Sequence, residues 1–302
     1  MQMNTESNPH TEQARRAHYW QRFEKIAAYI DACPDGDLSL DSLSALAAMS
    51  RFHFHRQFAS AFGLSLHQYV LQSRLRRAGS QLAFRTSLSV TRIALDHGFE
   101  SLAAFSRAFR QMSGQSPTAF RAAPDWPTWH QACSLIPANR SVAMTFAHQD
   151  VRIIDFPATA LACMEHRGDP ALIGDSLQKF IAWRRQEKLP PSRYRTFNIL
   201  YGHPDHVPAA EFRLDVGVAV DQPESYAAAG IIAKTIPAGR CAVLRHTGPD
   251  SQLEHSIGYL FDTWLPASGE ELRDFPVFLQ RLRFYPDVSE QQAELDIFLP
   301  LK

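Results

Sequence analysis

The chain repeats itself in two places, with two different periods, and these duplications restrict its fold more than any single motif does. A shift of 51 carries Ser50, Phe54, Arg56, Phe58, Gly63, Ser65 and Tyr69 onto Ser101, Phe105, Arg107, Phe109, Gly114, Ser116 and Phe120. Just upstream the shift is 50, with Leu43 on Ile93 and Ser44 on Ala94, so the second copy's turn, HGFES, is one residue longer. Past residue 150 the period changes. Pro157, Ala158, Ala162, His166 and Gly168 recur 80 residues on as Pro237, Ala238, Ala242, His246 and Gly248. Leu172, Phe180 and Trp183 match Leu253, Phe261 and Trp264 at 81, as does Leu214-Asp215 with Leu295-Asp296. The 302 residues therefore read as two domains, each built from a doubled unit.

Helical spacing governs His18–Ala123. Phe23, Ile26, Ala27 and Ile30 share one face, and Pro34, Asp35 and Gly36 stop that helix. Asp41 is expected to cap the next helix, Ser50 the one after, and a long helix is expected over Leu66–Phe84. Each copy is then a short helix, a tight turn, an N-capped second helix and a glycine stop, the helix-turn-helix pattern. In the second helix Phe54 with Phe58, and Phe105 with Phe109, hold one face on a core. Arg56 and Arg107 lie two residues from these rings, about 200° round the axis, so they point outward.

An outward arginine fork suits guanine O6 and N7, and a capped helix start suits phosphate, which places Ser50 and Ser101 near the backbone of a duplex. Charge agrees. Ser42–Ala122 holds ten arginines, no lysine and two acids, whereas Val151–Lys302 holds 16 basic and 20 acidic residues. An anionic partner is expected for the first half only. Arg74, Arg76 and Arg77 on the long helix would add sequence-independent attraction.

The second copy, GFESLAAFSRAFRQMSGQSPTAFR (Gly98–Arg121), resembles the signature of the AraC/XylS family of bacterial transcription regulators, and residues 18–123 resemble that family's DNA-binding domain. The resemblance implies two helix-turn-helix units bridged by one long helix and bound to successive major grooves of double-stranded DNA. It implies that Phe52, His55 and Arg56 meet bases from the first recognition helix. It implies that Leu102, Ala103, Ala104, Ser106 and Arg107 fill the base-facing positions of the second, where Arg107, thymine methyls and DNA shape carry the readout. Arg51, Arg76 and Arg110 complete the expected DNA-binding set. RNA polymerase stays open as a further partner, and the keywords this implies include activator.

In the second half each copy reads as β-α-β-β. Strands are expected over Thr159–Glu165 and Cys241–Arg245, a helix follows, and Arg195–Tyr201 with Phe212–Val220, then Val277–Phe284 with Ala293–Leu299, close the copies. The two units would pair about a pseudo-twofold, helices on one sheet face and a cleft between. The fold class is thus α+β, two domains: an all-α double helix-turn-helix domain (18–123) after a disordered tail (1–17), a linker (124–147), and a duplicated β-α-β-β domain (148–302). Pro124, Pro127 and Pro137 break periodicity in the linker, yet Trp126 and Trp129 are expected to dock on a neighbouring domain; an ordered extra helix or strand of the second domain is the alternative.

HTGP (His246–Pro249), WLPASGEELRDFPVF (Trp264–Phe278) and the ending DIFLPLK resemble the GyrI-like effector-binding domain. The resemblance implies an effector pocket lined by Tyr201, Trp264 and Phe278, with Trp183 and Leu279 beside them, taking a small organic effector. Core packing is the alternative for Trp183 and Trp264. Where many relatives carry a glutamate suited to cationic, lipophilic molecules, Leu279 and Gln280 stand here. A cation would lack a counter-charge, so a neutral effector is expected.

No catalytic residue and no metal or cofactor site is expected. GxSxG, Walker, GxGxxG and HExxH motifs are absent from the sequence. His53 and His55 diverge on a helix, and His203, Asp205 and His206 in GHPDHVP lack further ligands. His166 and His246, duplicated at strand ends, read as structural. Cys33, Cys133, Cys163 and Cys241 form no CxxC pair and suit a reducing compartment. The chain is thus read as a non-enzymatic, cytoplasmic, nucleoid-associated bacterial regulator without a membrane span. A small-molecule hydrolase or drug-sequestering domain tethered to DNA is the alternative, with Glu165, Glu254, Glu270 and Glu271 as available acids.

Overall fold

A computed structural model describes residues 22–33, 36–134, 146–203, 207–227, 230–285 and 287–302. The expected tail, Pro34, Asp35, Pro137, Asp205 and His206 lie outside the described residues. The chain divides into two compact units, one helical and one built on a sheet; the short stretches 83–86 and 121–130 belong with the sheet unit.

The helical unit begins with α1 (22–32), whose Phe23, Ile26, Ala27 and Ile30 are all buried. Then come α2 (Leu40–Leu46), α3 (Arg51–Phe62), α4 (Leu66–Phe84), α5 (Val90–Asp96), α6 (Leu102–Ser113) and α7 (Pro117–Ala122). The α2 cap is Ser39, not Asp41: Ser39 Oγ accepts the Ser42 N–H at 3.2 Å, and Asp41 sits in the first turn, where the helix dipole favours a carboxylate. The duplication is visible in the caps. Ser50 and Ser101 cap α3 and α6, both twelve residues long, and Gly63 (φ 67°) and Gly114 (φ 73°) end them in the left-handed conformation that lacks a Cβ penalty only for glycine. Phe54, Phe58, Phe105 and Phe109 are each 0% exposed.

The stretch read as a linker contains α8 (Trp126–Ser134). Asp125 Oδ1 accepts the Thr128 N–H at 3.1 Å, and Pro127 sits in the first turn, where a missing N–H costs nothing. Trp126 and Trp129 are buried. The Trp126 indole lies where a Cβ on Gly174 would be, and its Nε1 donates to Asp175 Oδ1 at 2.8 Å. The ordered-helix alternative therefore applies to this part of the stretch.

The sheet unit has one eight-stranded antiparallel sheet: β1 (Val151–Phe156), β2 (Thr159–Arg167), β3 (Thr196–Leu200), β4 (Arg213–Ala219), β5 (Ile231–Ile236), β6 (Gly239–Thr247), β7 (Val277–Arg283) and β8 (Glu294–Pro300), in the order β1-β6-β8-β7-β3-β4-β2-β5. Helices α9 (Ile173–Gln186), α10 (Leu253–Gly258) and α11 (Leu265–Ser268) pack on one face. Each repeat has one strand more than β-α-β-β: β1 and β5 lead their copies. Each pairs with the second strand of the other copy, β1 with β6 and β5 with β2, so the repeats exchange their leading strands. These strands went unread because they form the sheet edges, half exposed and without clean alternation.

The change of period from 80 to 81 has a local cause. Ile173 and Leu253 both open a helix, Ser176 and Ser256 make the same bond, and Phe180 and Leu260 are both buried, all 80 apart. The matches Leu172–Leu253 and Phe180–Phe261 are thus out by one. A π-helical turn over Tyr259–Trp264 absorbs one extra residue, and only from Trp264 on is the period 81.

Candidate nucleic-acid interface and ligand cleft

Along α3 the rings of Phe54, Phe58 and Phe62 form a continuous spine, with Phe58 4.6 Å from Phe62 and Phe23 5.9 Å from Phe54. The outward face of the helix carries Arg51, Phe52, His53, His55 and Arg56, all exposed, Phe52 by 89%, while Gln57, Ala59 and Ala61 are half-buried. Arg51 pairs with Asp41 at 2.7 Å in an exposed bridge of little energetic weight. On α6 the same geometry presents Leu102, Ala103, Arg107 and Arg110, while Ala104 and Ser106 are half-buried. Ser50 Oγ accepts the His53 N–H at 3.5 Å, and Ser101 Oγ the Ala104 N–H at 3.2 Å. Both serines are thus spent on capping while their helix starts stay exposed.

Arg76 departs from the expected surface role. It is half-buried and lies 3.6 Å from Asp31, itself 5% exposed. Arg77 donates to the Asp31 carbonyl at 2.7 Å and Arg74 to the Gly98 carbonyl at 3.4 Å. The arginines of α4 hold the helical unit together, because a buried carboxylate between α1 and α4 demands neighbouring positive charge.

In the sheet unit an open cleft of about 1800 Å³ lies over β3 and β7, between α9 and the α10 segment. Leu177 and Phe180, Ile257 and Phe261, Asn198 and Leu279 line it. Of the expected pocket residues, Tyr201 and Leu279 reach it; Trp183, Trp264 and Phe278 do not. Trp183 and Trp264 are buried in the two helix–sheet cores. Phe278 sits on the opposite sheet face, stacked on Phe298 at 4.7 Å, because adjacent strand residues point opposite ways and Leu279 takes the cleft side.

Sequence reasoning missed the polar groups of this unit. Arg184, 6% exposed, donates to Leu189 O (2.8 Å), Thr196 Oγ1 (2.7 Å) and Tyr194 O (3.2 Å); burial pulls it down to about 10, still charged at neutral pH. Arg281 donates to Asn198 Oδ1 at 2.8 Å and forks onto Asp250 at 2.9 and 2.7 Å. Both fall on the inward face of their element, Arg184 four residues after Phe180 and Arg281 two after Leu279, but their charge alone suggests surface.

The acids available to a hydrolase reading are all engaged. Glu165 meets Lys234, Arg167 and Arg213; burial alone would raise its pKa, but these cations hold it down to about 2. Glu254 faces His203 at 3.4 Å, Glu270 pairs with Arg240 and Glu271 with Lys302, both at 2.8 Å or less. Asp215, fully buried, accepts from Tyr201 OH at 2.7 Å and from Lys234. His166 and His246 bond Ser176 and Ser256 at 2.9 and 2.8 Å, tying each helix to its strand in both repeats. Among the described residues no cluster of metal-binding side chains occurs, and no helix is long and apolar enough to cross a membrane.

Fold and site together define a DNA-binding transcription regulator of the AraC type, a double helix-turn-helix unit joined to a duplicated sheet domain with a cleft. Residues 43–123 match a helix-turn-helix domain family and residues 149–302 the GyrI-like small molecule binding domain; the chain belongs to the GyrI-like family. It is 35% identical over 159 residues to the probable transcriptional regulator YgiV of Escherichia coli K12, covering 52% of this chain and 99% of that protein. It is 34% identical over 101 residues to the right origin-binding protein of the same organism, covering 33% of this chain and 35% of that one. A solved hydrolase from Listeria innocua is 12% identical, with a TM-score of 0.39 over 50% of this chain and 91% of its own.

Proposed function

We propose that the chain is a ligand-responsive, sequence-specific regulator, with DNA-binding and effector domains at 18–123 and 148–302. In this reading α3 and α6 enter successive major grooves of one duplex, and the cleft over β3 and β7 takes a small uncharged organic effector that biases DNA binding. It acts in the bacterial cytoplasm on the nucleoid, and contact with RNA polymerase is part of the same proposal. The observation that carries it is the pair Arg56 and Arg107: both exposed, at matching places on capped helices whose phenylalanines are wholly buried. The regulator names of its relatives favour this reading over a hydrolase.

The test begins with selection of bound duplexes from random DNA, with and without a panel of small molecules. On the selected operator, Arg56→Ala should lose about 1–3 kcal/mol of affinity and its preference at one base pair. Unchanged affinity for both Arg56→Ala and Arg107→Ala would sink the interface.

A further inference from the structure

The cleft floor carries one group that the fold has left half-used. Asn198 stands at the centre of β3, 4% exposed, with Val216 and Leu279 as its cross-strand neighbours. Its side chain lines the cleft, whereas Phe197 and Ile199 on either side turn to the other core. A carboxamide in such apolar company is costly unless bonded. Its oxygen is satisfied by Arg281 Nε at 2.8 Å. A guanidinium only donates, so this contact fixes which end of the amide faces Arg281: the oxygen, leaving Nδ2 on the other side. Arg281 is itself held by both Asp250 oxygens. Among the described residues Nδ2 has no partner.

The other polar groups of the floor are spent. Thr196 Oγ1 accepts from Arg184, whose Nε and Nη2 go to backbone carbonyls. A cation on the floor would find Asp250 already neutralised by Arg281, and an anion would have to take Arg281 from Asp250. An uncharged acceptor meets a ready donor.

We infer that the effector carries a neutral carbonyl of ketone, ester, lactone or amide type, received by the Nδ2–H of Asn198, which the Asp250–Arg281 pair holds in place. This rests on the cleft being the effector site. Small-molecule sites of this kind take most of their affinity from apolar walls and their selectivity from a few fixed polar groups.

The test uses the full chain and a matched probe pair read by fluorescence anisotropy: an uncharged dimethylaminonaphthalene bearing a propionyl ketone, and its twin with the carbonyl reduced to methylene. The ketone should bind at least about fivefold more tightly, the margin of one net hydrogen bond. Asn198→Asp keeps an acceptor for Arg281 but removes the donor, and should abolish that preference while the methylene twin binds as before. Equal binding of the two probes to the unmodified chain overturns the inference and leaves the cleft standing as a ligand site; this comparison needs no variant to fold. Tighter binding of a sulfonate analogue than of the ketone also overturns it, in favour of guanidinium recognition. If no probe binds, or if Leu177→Trp in the cleft wall leaves binding untouched, the effector-cleft reading itself falls and this inference with it.

Discussion

The two duplications have aged differently. In the helical unit the phenylalanine spines of α3 and α6 match and are equally buried, while the outward faces have diverged: Arg51, Phe52 and His55 stand where the second copy has Leu102, Ala103 and Ser106. In the sheet unit the buried His–Ser bonds persist, yet an ion pair has changed sign. Glu165 meets Arg213 at 2.7 Å, and at the matching places Arg245 lies 3.7 Å from Glu294. Coulomb energy depends on the product of two charges, so a pair can invert together where neither member can change alone. A buried ring has no such freedom, since its neighbours fix its volume. Duplicated helices thus keep what packs and vary what faces water, which is why one spine can carry two different outward faces.

The largest expected effect tests the equality of the spines. Phe54→Ala and Phe105→Ala should each destabilise the helical unit by about 3–5 kcal/mol, from lost transfer energy plus the cavity left behind. Phe52→Ala, removing a ring that is 89% exposed, should cost under about 0.5 kcal/mol. Denaturant titration followed by far-UV circular dichroism measures all three. A large cost for Phe52→Ala would mean that this ring packs, and the division between spine and reading face would be wrong.

The inverted ion pairs offer the next contrast. Glu165 titrates at about 2 in the folded chain against an ordinary 4.5, so the folded state releases its proton more readily than the unfolded one. Its contribution is therefore present above about pH 5 and is lost as pH falls from about 4.5 towards 2. The side chain is 23% exposed, and the shift corresponds to about 3 kcal/mol. Glu165→Gln should lower stability by about that amount at neutral pH, and its curve should meet that of the unmodified chain near pH 2. Arg245, 47% exposed, should matter less: Arg245→Gln should cost under about 1 kcal/mol. An acid limb of equal depth in the Glu165→Gln protein would remove Glu165 as its source.

Much of this was legible in the sequence because internal repeats and 3.6-residue spacing report burial directly. The α3 and α6 caps, the spines and six of the eight strands fall within about two residues of where the pattern puts them. What was not legible has specific causes. The edge strands β1 and β5 alternate poorly because at a sheet edge most of their side chains stay half-exposed or exposed. Phe278 and Leu279 cannot both line one cleft, a constraint that strand geometry supplies and that the family resemblance obscured. That Arg76 is half-buried beside Asp31 cannot be read from the pattern, since that carboxylate is 45 residues away in sequence. Asn198 was missed because an isolated asparagine in a strand carries no pattern at all.

The smallest effect compares the two turns. In the first copy Ala48 takes a left-handed conformation (φ 52°); in the second, Gly98 does so (φ 72°). A Cβ in that region costs about 1–2 kcal/mol. At Gly98 a Cβ would also displace the end of the Arg74 side chain, whose Cζ lies 2.9 Å away, and with it the 3.4 Å bond to the Gly98 carbonyl, a small addition to the backbone strain. Gly98→Ala should therefore destabilise by more than about 1 kcal/mol. Ala48→Gly relieves the strain but gives the unfolded chain more freedom, which offsets about 0.4–1 kcal/mol. The net should be a gain of about 0.5 kcal/mol, read as a rise in denaturation midpoint with unchanged slope. A loss of stability on Ala48→Gly would show that the alanine methyl packs favourably in the turn, and the two copies would then differ there by contact as well as by strain.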